Sequence, residues 1–260
     1  MQSGEKLAGK VAVVTGGGRG LGRAAALAFA AEGAAVTIVS RTESELAEVA
    51  RLIGNGKCIA VAGNVASGDT VRRAVAATVD RFGGVDILLN NAAVVGPLRR
   101  MEDVTDPEWD TALSVNLKGA FLFAREVVPH MRSRGGGAMI NVTSGLGSFV
   151  LSPFGAYCIA KAGLNQLTRI LALELGGAGI RVNGLDPGVM DTAMQEKIRA
   201  AGPQTLGADT WQRFVDYKEK GILNPTEKAA RLALFLAAPP PSLTGETGDA
   251  RYYASFGFAE

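Results

Sequence analysis

Short apolar runs alternate with helical patterns along most of the chain. The first run, VAVVT at 11–15, leads into the glycine-rich stretch GGGRGLG and then into an alanine-rich helical pattern from Gly22 to Glu32. An apolar strand, a tight turn and a helix form the repeating unit of a parallel sheet covered by helices. The same order recurs after further apolar runs, which lie at 35–40, 57–65, 85–92, 138–144 and 180–188. The pattern predicts an α/β fold with a doubly wound parallel sheet of about seven strands between two helical layers.

Polar residues at the helix starts sharpen this prediction. Thr42, with Glu45 three residues later, predicts a capping box at the start of the second helix. Asp106 as N-cap and Pro107 at the first helical position predict a helix that runs to about Arg134, where three glycines stop it. Two more helices are expected at 68–82 and 154–175.

The segment after the last apolar run has a different pattern. Residues 190–222 predict a helical insertion, which we expect to form a lid. No linker or shift in composition divides the chain, and 260 residues with 47% apolar content can bury one substantial core. We therefore expect residues 1–260 to form a single domain.

Charge and hydropathy exclude several classes of partner. The chain has 27 basic and 25 acidic residues, a net charge of +2 and no run of Lys or Arg, so a nucleic-acid footprint or a basic membrane patch is not expected. No stretch approaches the roughly 18 to 20 apolar residues of a membrane span, and MQSGEKLAGK lacks the apolar core of a secretion signal. These features predict a cytoplasmic protein with a small-molecule partner.

Histidine and cysteine are too few for most metal sites. His130 is the single histidine, which excludes the usual zinc sites, and any Ser-His-Asp triad would need His130 itself as the base. Cys58 and Cys158 both lie among apolar neighbours and are expected to be buried thiols. We predict no metal.

Three groups of residues can carry chemistry, and each has a plainer structural explanation. Glycines after the first strand suit a diphosphate on a helix N-terminus, or merely a tight turn. Ser144 ends a strand, where it serves a reaction or simply caps a turn. Tyr157 and Lys161 are four residues apart on one helix face, either as a reactive pair or as a packed lysine stem with its head in solvent.

The combination of motifs resembles the classical short-chain dehydrogenase/reductase family, whose fold is Rossmann-type. The resemblance covers about residues 8 to 248 and is carried by T15-G-x-x-x-G-x-G22, N90-N-A-A93, Asn116, Ser144, Tyr157-x-x-x-Lys161 and P187-G-x-x-x-T192. It implies that Asn116, Ser144, Tyr157 and Lys161 are the catalytic residues, and that this single domain binds a dinucleotide.

The resemblance also answers why Tyr157 and Lys161 would lie together. A free phenol has a pKa near 10, and an ammonium within about 4 to 6 Å lowers such a value by 1 to 3 units. We expect Lys161 to lower the pKa of Tyr157, which donates a proton to a substrate carbonyl while Ser144 positions its oxygen. The family analogy gives Lys161 a contact with the nicotinamide ribose and gives Asn116 a relay water.

The cofactor is expected to be NADP, with NADPH preferred over NADH. An acid at the end of the second strand would bind the ribose of NAD, but Ser40 stands there, Arg41 follows it, and Arg19 provides a second guanidinium for a phosphate. The complete set of expected cofactor contacts is Gly16, Gly18, Arg19, Gly20, Leu21, Gly22, Ser40, Arg41, Asn64, Val65, Asn91, Ala92, Tyr157, Lys161, Pro187, Gly188, Val189 and Thr192.

Three features depart from the family pattern. Ala93 replaces a glycine of the Asn-Asn-Ala-Gly motif, and Asn64 stands where an aspartate usually meets adenine, although its amide oxygen can still accept that bond. The C-terminus TGETGDARYYASFGFAE lacks the usual Val-Asp-Gly-Gly ending. Because that tail builds interfaces in many relatives, a homo-oligomer is expected, and dimer and tetramer both stay open.

The substrate is the least determined part. Residues 187–199 and the insertion locally resemble the sepiapterin and benzil reductase branch, which implies a ketone or diketone. Apolar side chains that would line its pocket are Leu98, Leu146, Phe149, Met190, Met194, Trp211 and Phe214. The same side chains would also suit the core of the lid. An NAD-linked alcohol dehydrogenase working oxidatively and a non-catalytic NADP-binding regulator are the alternatives.

Overall fold

The computed structural model describes residues 6–54 and 56–259. Seven parallel strands form one sheet in the order β3-β2-β1-β4-β5-β6-β7. The strands are β1 Val11–Thr15, β2 Ala35–Ser40, β3 Cys58–Ala62, β4 Ile87–Asn90, β5 Gly137–Val142, β6 Ile180–Leu185 and β7 Thr247–Gly248. The chain builds outward from β1 to β3 and then returns to β4 on the other side of β1, so the strand order reverses there. The predicted doubly wound α/β sheet is confirmed.

Helices cover both faces of the sheet. They are α1 Gly20–Ala31, α2 Glu43–Ile53, α3 Gly68–Phe82, α4 Asp106–Leu113, α5 Gly119–Ser133, α6 Gly155–Leu175, α7 Ala193–Ala200, α8 Gly202–Leu206, α9 Ala208–Glu219, α10 Thr226–Ala237 and α11 Ala250–Ala254. Adjacent residues of β1 pack into the cores on opposite faces of the sheet, because strand side chains alternate. Val14 packs on the face covered by α1 and α10, and Val13 on the face covered by α3 and α5. The described part of the chain has no helix long and apolar enough to span a membrane.

Two helix starts differ from the sequence prediction. Asp106 is not the N-cap of α4: Thr105 holds that position and forms a capping box with Glu108, and Pro107 is the second helical residue. The glutamate three residues after Thr105 decides the boundary, since its carboxylate accepts a hydrogen bond from the Thr105 N–H. At α2, Thr42 is the N-cap as expected, but its side chain makes no capping hydrogen bond.

The long helix predicted to reach Arg134 is interrupted. A π-helical turn, Ser114–Lys118, separates α4 from α5, and α5 then continues to Ser133. Such turns often occur at functional sites, because the widened turn redirects side chains. The π-turn contains Asn116, one of the expected catalytic residues, and the helix stops where Gly135 takes a φ of 81°.

The insertion expected at 190–222 contains three helices, α7, α8 and α9. They share a small core with the start of α6, in which Phe214, Ile198 and Leu206 pack with Phe154 and Cys158. Both ends of the insertion meet at one place, because Met190 and Asn224 form an isolated parallel bridge. The insertion therefore leaves and rejoins the body at one short pairing and packs on the body through the core that it shares with the start of α6.

Candidate active site

A cavity of about 1320 Å³ lies at the carboxyl ends of the strands, between the sheet and the insertion. Parallel sheets bind ligands at this edge, where the strand order reverses. The volume exceeds the roughly 300 to 1,000 Å³ of ordinary small-molecule pockets. It therefore has room for a dinucleotide together with a second small molecule.

The glycine turn after β1 forms one wall of the cavity and is packed without spare space. A Cβ on Gly22 would lie 2.1 Å from the Gly16 carbonyl oxygen, and one on Gly16 would lie 2.8 Å from Asn91 Nδ2. The Asn91 amide donates to the carbonyls of Thr15 (3.0 Å) and Gly16 (3.2 Å). The first turn of α1 holds no acidic residue, so its positive end is free to favour an anion.

The end of β2 lies beside this turn and carries groups suited to a ribose or its phosphate. The Ser40 hydroxyl is buried and has no hydrogen-bond partner among the described residues. Arg41 and Arg19 both line the cavity with exposed side chains. The Arg19 Nη1 lies 3.5 Å from Glu45 Oε1. An unpartnered hydroxyl and two guanidiniums near a glycine-lined helix start fit the adenosine end of a nicotinamide dinucleotide.

Ser144, Tyr157 and Lys161 meet at the opposite end of the cavity. Ser144 follows β5, and the other two lie one turn apart in the first half of α6. The Ser144 hydroxyl lies near the Tyr157 phenol, and its Oγ accepts a hydrogen bond from Leu146 N at 3.2 Å. Lys161 Nζ lies 5.5 Å from the centre of the Tyr157 ring. Lys161 is fully buried, and its Nζ donates to the Val142 carbonyl at 2.7 Å. The plainer alternative of a lysine head in solvent is wrong.

Burial governs the protonation of this group, which corrects the expected effect of Lys161 on Tyr157. Burial raises the pKa of Tyr157 to about 12, against the opposing hydrogen bond from Ser144. Burial likewise lowers the pKa of Lys161 to about 8, and Asp186 opposes this shift. The ammonium lies near the aromatic ring and is bonded to a carbonyl, so the loss of solvent dominates the pKa of the phenol. In this state Tyr157 is a neutral proton donor.

Asp186 is a further acidic group that sequence reasoning missed. It follows β6 in the cavity wall, where Oδ1 accepts from Gly188 N at 3.0 Å. Burial raises the pKa of its carboxyl, and the negative charge raises the pKa of both Tyr157 and Lys161. Its position directly before Pro187-Gly188 was a signal that could have identified it.

Asn116 makes three side-chain hydrogen bonds outside the cavity wall. Its Nδ2 donates to the carbonyls of Val94 (2.9 Å) and Ala112 (2.8 Å), and its Oδ1 accepts from Val94 N (3.0 Å). Val94 itself lines the cavity. The contacts made by Asn116 therefore hold the loop after β4, and its expected role in ordering a water stays a prediction.

The cavity brings together most of the remaining expected residues. All the expected cofactor residues line it except Gly22, which lies behind the turn and packs it. Of the expected substrate residues, those in its wall are Leu146, Phe149, Met190, Met194 and Phe214. Leu98 and Trp211 are not, which corrects that prediction: both pack against the core of the insertion, and Trp211 Nε1 donates to Arg199 O at 3.0 Å.

Comparison with known proteins identifies the family. The family model described as short chain dehydrogenase matches residues 10–203. The chain is 36% identical to the short-chain reductase protein NovJ of Streptomyces niveus, over 91% of this chain and 90% of that protein. It is 33% identical to the 3-oxoacyl-[acyl-carrier-protein] reductase FabG of Thermotoga maritima, over 93% of this chain and 96% of that one.

Solved structures give the same result. A levodione reductase superposes with a TM-score of 0.86 at 28% identity, covering 94% of this chain and 96% of that one. A 3-ketoacyl-(acyl-carrier-protein) reductase from Brucella melitensis, complexed with NADH, superposes with a TM-score of 0.82 at 33% identity, covering 94% and 97%. The site and these matches agree, and the chain belongs to the short-chain dehydrogenase/reductase family of oxidoreductases.

Proposed function

We propose that the protein reduces a ketone or diketone carbonyl to an alcohol with NADPH. The observation that carries the proposal is the cluster of Ser144, Tyr157 and Lys161 in the wall of one cavity that also contains the glycine turn. A serine hydroxyl and a neutral phenol lie near each other in the cavity wall and can both donate hydrogen bonds into it. A carbonyl oxygen placed between them would be held and polarised by both.

Each side chain has one task in this mechanism. A nicotinamide held by the cofactor residues would supply a hydride for the carbonyl carbon. Tyr157 Oη donates its proton to the oxygen, and the Ser144 hydroxyl stabilises the charge that develops there. Lys161, as an ammonium below about pH 8, stabilises the negative charge of the phenolate that forms. One hydride and one proton convert the carbonyl to the alcohol.

The preference for NADPH is supported by the groups at the end of β2. Arg19 and Arg41 border this end of the cavity, and the β2 terminus presents the Ser40 hydroxyl rather than a carboxylate. Guanidinium groups recognise phosphate through paired hydrogen bonds. The relative from Brucella melitensis was solved with NADH. In this chain, the feature that favours NADH is Glu45, which lies beside Arg19.

The substrate class is supported by the walls beyond Tyr157. Phe149, Met190, Met194 and Phe214 give this end an apolar surface. Two of the relatives, a levodione reductase and a 3-ketoacyl reductase, are named for keto substrates. A ketone or diketone with an apolar body suits such a pocket, with α7–α9 as the lid of the single domain.

A homo-oligomer, dimer or tetramer, is part of the proposal. Helices α5 and α6 present large exposed apolar side chains, among them Phe121, Ile170 and Leu173. Of these, Leu173 is 86% exposed. A second copy of the chain would cover such a face.

The decisive experiment follows the oxidation of NADPH and NADH against ketones, diketones, quinones and pterins by the loss of reduced-nicotinamide absorbance. Turnover of a ketone or diketone with a higher kcat/KM for NADPH supports the proposal. Faster oxidation of alcohols with NAD would favour the oxidative alternative. Tight NADPH binding without turnover on the whole panel would favour a regulator.

A further inference from the structure

Glu45 occupies an unexpected position at the adenosine end of the cavity. It lies in the first turn of α2, and a Cβ placed on Gly18 would be 3.1 Å from Glu45 Oε2 and 3.1 Å from Ser40 Oγ. The carboxylate, the unpartnered hydroxyl and the glycine backbone therefore border one small region. The cavity wall includes Glu45 together with the arginines expected to bind a phosphate.

Helix capping does not explain this position. The sequence pattern predicts that Glu45 reaches back to Thr42 in a capping box, but Thr42 makes no side-chain capping bond. The carboxylate turns instead to Arg19, at 3.5 Å from Nη1. The Arg19 side chain is 67% exposed and the Glu45 side chain 31%, and an ion pair this accessible to solvent contributes only about 0 to 1 kcal/mol to folding. A gain in folding stability therefore does not account for the position of Glu45.

A neighbouring ion pair offers a comparison. Glu48, one turn along α2, pairs with Arg23 at 3.3 Å. The two pairs join the same helices with the same chemistry. Only Glu45 of the two acids lines the cavity. The two acids therefore differ in access to the cavity, and Glu45 is the less exposed of them, at 31% against 58%.

We propose that Glu45 is a specificity-determining residue. It disfavours a phosphate on the adenosine ribose and so reduces the preference for NADPH over NADH. The inference rests on the proposed NADPH-dependent function. A carboxylate accepts hydrogen bonds from free ribose hydroxyls, as NADH would offer. It repels a phosphate monoester, which carries roughly −1.5 to −2 charge at pH 7, and it holds Arg19 away from that phosphate.

The cavity wall beside α1 and α2 carries three guanidiniums, those of Arg19, Arg23 and Arg41, and the Glu45 carboxylate. Arg19 and Arg41 attract a phosphate, and Glu45 offsets part of that attraction. The protein should therefore bind both cofactors, with only a modest preference for NADPH. Replacing Glu45 by a neutral residue of the same size should strengthen that preference.

The test measures dissociation constants of NADPH and NADH by cofactor fluorescence, without any substrate. Glu45→Gln should tighten NADPH binding about tenfold, because a like-charge repulsion is removed and Arg19 is released, and should leave NADH binding equal or weaker. Glu48→Gln is the matched control and should change neither constant by more than about twofold. A Glu45→Gln variant whose NADPH/NADH ratio equals that of the wild type would overturn the inference.

Ionic strength provides a second measurement. The gain in NADPH affinity should shrink between about 50 mM and 500 mM salt, since exposed charges are screened. An equal gain at both concentrations would contradict an electrostatic role for Glu45. If the wild-type protein binds neither cofactor, the proposed function fails, which is distinct from a failure confined to Glu45.

Discussion

The two ends of the cavity are built in different ways. The nucleotide end consists of strand termini and glycine backbone, where Gly16, Gly22 and Asn91 are locked together by contacts that leave no room for a side chain. The substrate end is built from side chains of the insertion and of the loop after β5, and the insertion shares a small core with the start of α6. One end is fixed by the sheet, and the other depends on the packing of side chains between the insertion and the body.

This contrast indicates which end of the cavity is rigid and which end can vary in sequence. A site made of backbone groups tolerates few substitutions, because each added atom meets another backbone atom. A site made of packed side chains can be changed by repacking. Substitutions at the two ends should therefore affect different measured quantities.

The largest effect is expected where the two ends meet. Tyr157→Phe removes the proposed proton donor, and turnover should fall by about 10² to 10⁴. The dissociation constant of NADPH should stay within about threefold, because the ring and its packing remain. Steady-state kinetics and cofactor fluorescence measure the two quantities. Near-normal turnover would refute the role of the phenol.

The nucleotide end should be sensitive to a single methyl group. Gly22→Ala places a Cβ 2.1 Å from the Gly16 carbonyl, and such overpacking costs about 1 to 3 kcal/mol of unfolding free energy. We expect cofactor affinity to fall more than tenfold and the Tm to drop. Gly176→Ala is the control, since a Cβ there has no neighbour within 4 Å. Equal behaviour of the two variants would contradict the close packing.

Charge at the same end should alter cofactor choice without altering the fold. Arg41→Asp replaces an exposed guanidinium by a carboxylate beside Ser40. The dissociation constant of NADPH should rise about tenfold relative to that of NADH. Comparing the two cofactors on one variant provides the internal control. An unchanged preference would count against recognition of a phosphate by Arg41.

Substitutions at the substrate end should change KM for the carbonyl substrate and leave cofactor affinity unchanged. Phe214→Ala removes a buried ring that lies 5.7 Å from Phe154 and 5.8 Å from Tyr217. The insertion should loosen, which raises KM for the carbonyl substrate about tenfold and leaves the NADPH dissociation constant within twofold. Ile222→Ala, at a half-exposed position, should change neither quantity. A loss of cofactor affinity in Phe214→Ala would contradict the independence of the two ends of the cavity.

The smallest effect concerns pH. Asp186 raises the pKa of both Tyr157 and Lys161, so Asp186→Asn should lower both. Reduction needs the protonated forms, and in the wild type it should decline as Lys161 loses its proton near pH 8. In the variant the alkaline limb of kcat/KM should lie about one pH unit lower. A limb that stays in place or moves upward would exclude this role.

Sequence reasoning reached the backbone-built end more completely than the rest. The glycines after β1 and the serine at the end of β5 were predictable, because strand ends and turns leave a strong local signal. Asp106 was misplaced as an N-cap by one residue, since Thr105 and Asp106 are both good caps and only the hydrogen bonds of Glu108 separate them.

Predictions failed where tertiary packing decides the outcome. Trp211 turns into the core of the insertion, and no local pattern distinguishes that core from a cavity wall. The pKa of Tyr157 depends on burial, which the spacing of Tyr157 and Lys161 does not reveal. Glu45 matched a capping pattern, but Arg19 attracts its carboxylate from a different helix.

The bridge between Met190 and Asn224 has a consequence for how this protein can change over time. Because the insertion leaves and rejoins the body at one rung, where Asn224 N donates to Val189 O at 2.8 Å, helices can be lengthened, shortened or exchanged there without moving a strand. The segment can therefore be exchanged as a unit, by evolution or by protein engineering. Such an exchange would change which substrates are accepted and leave the cofactor site as it is.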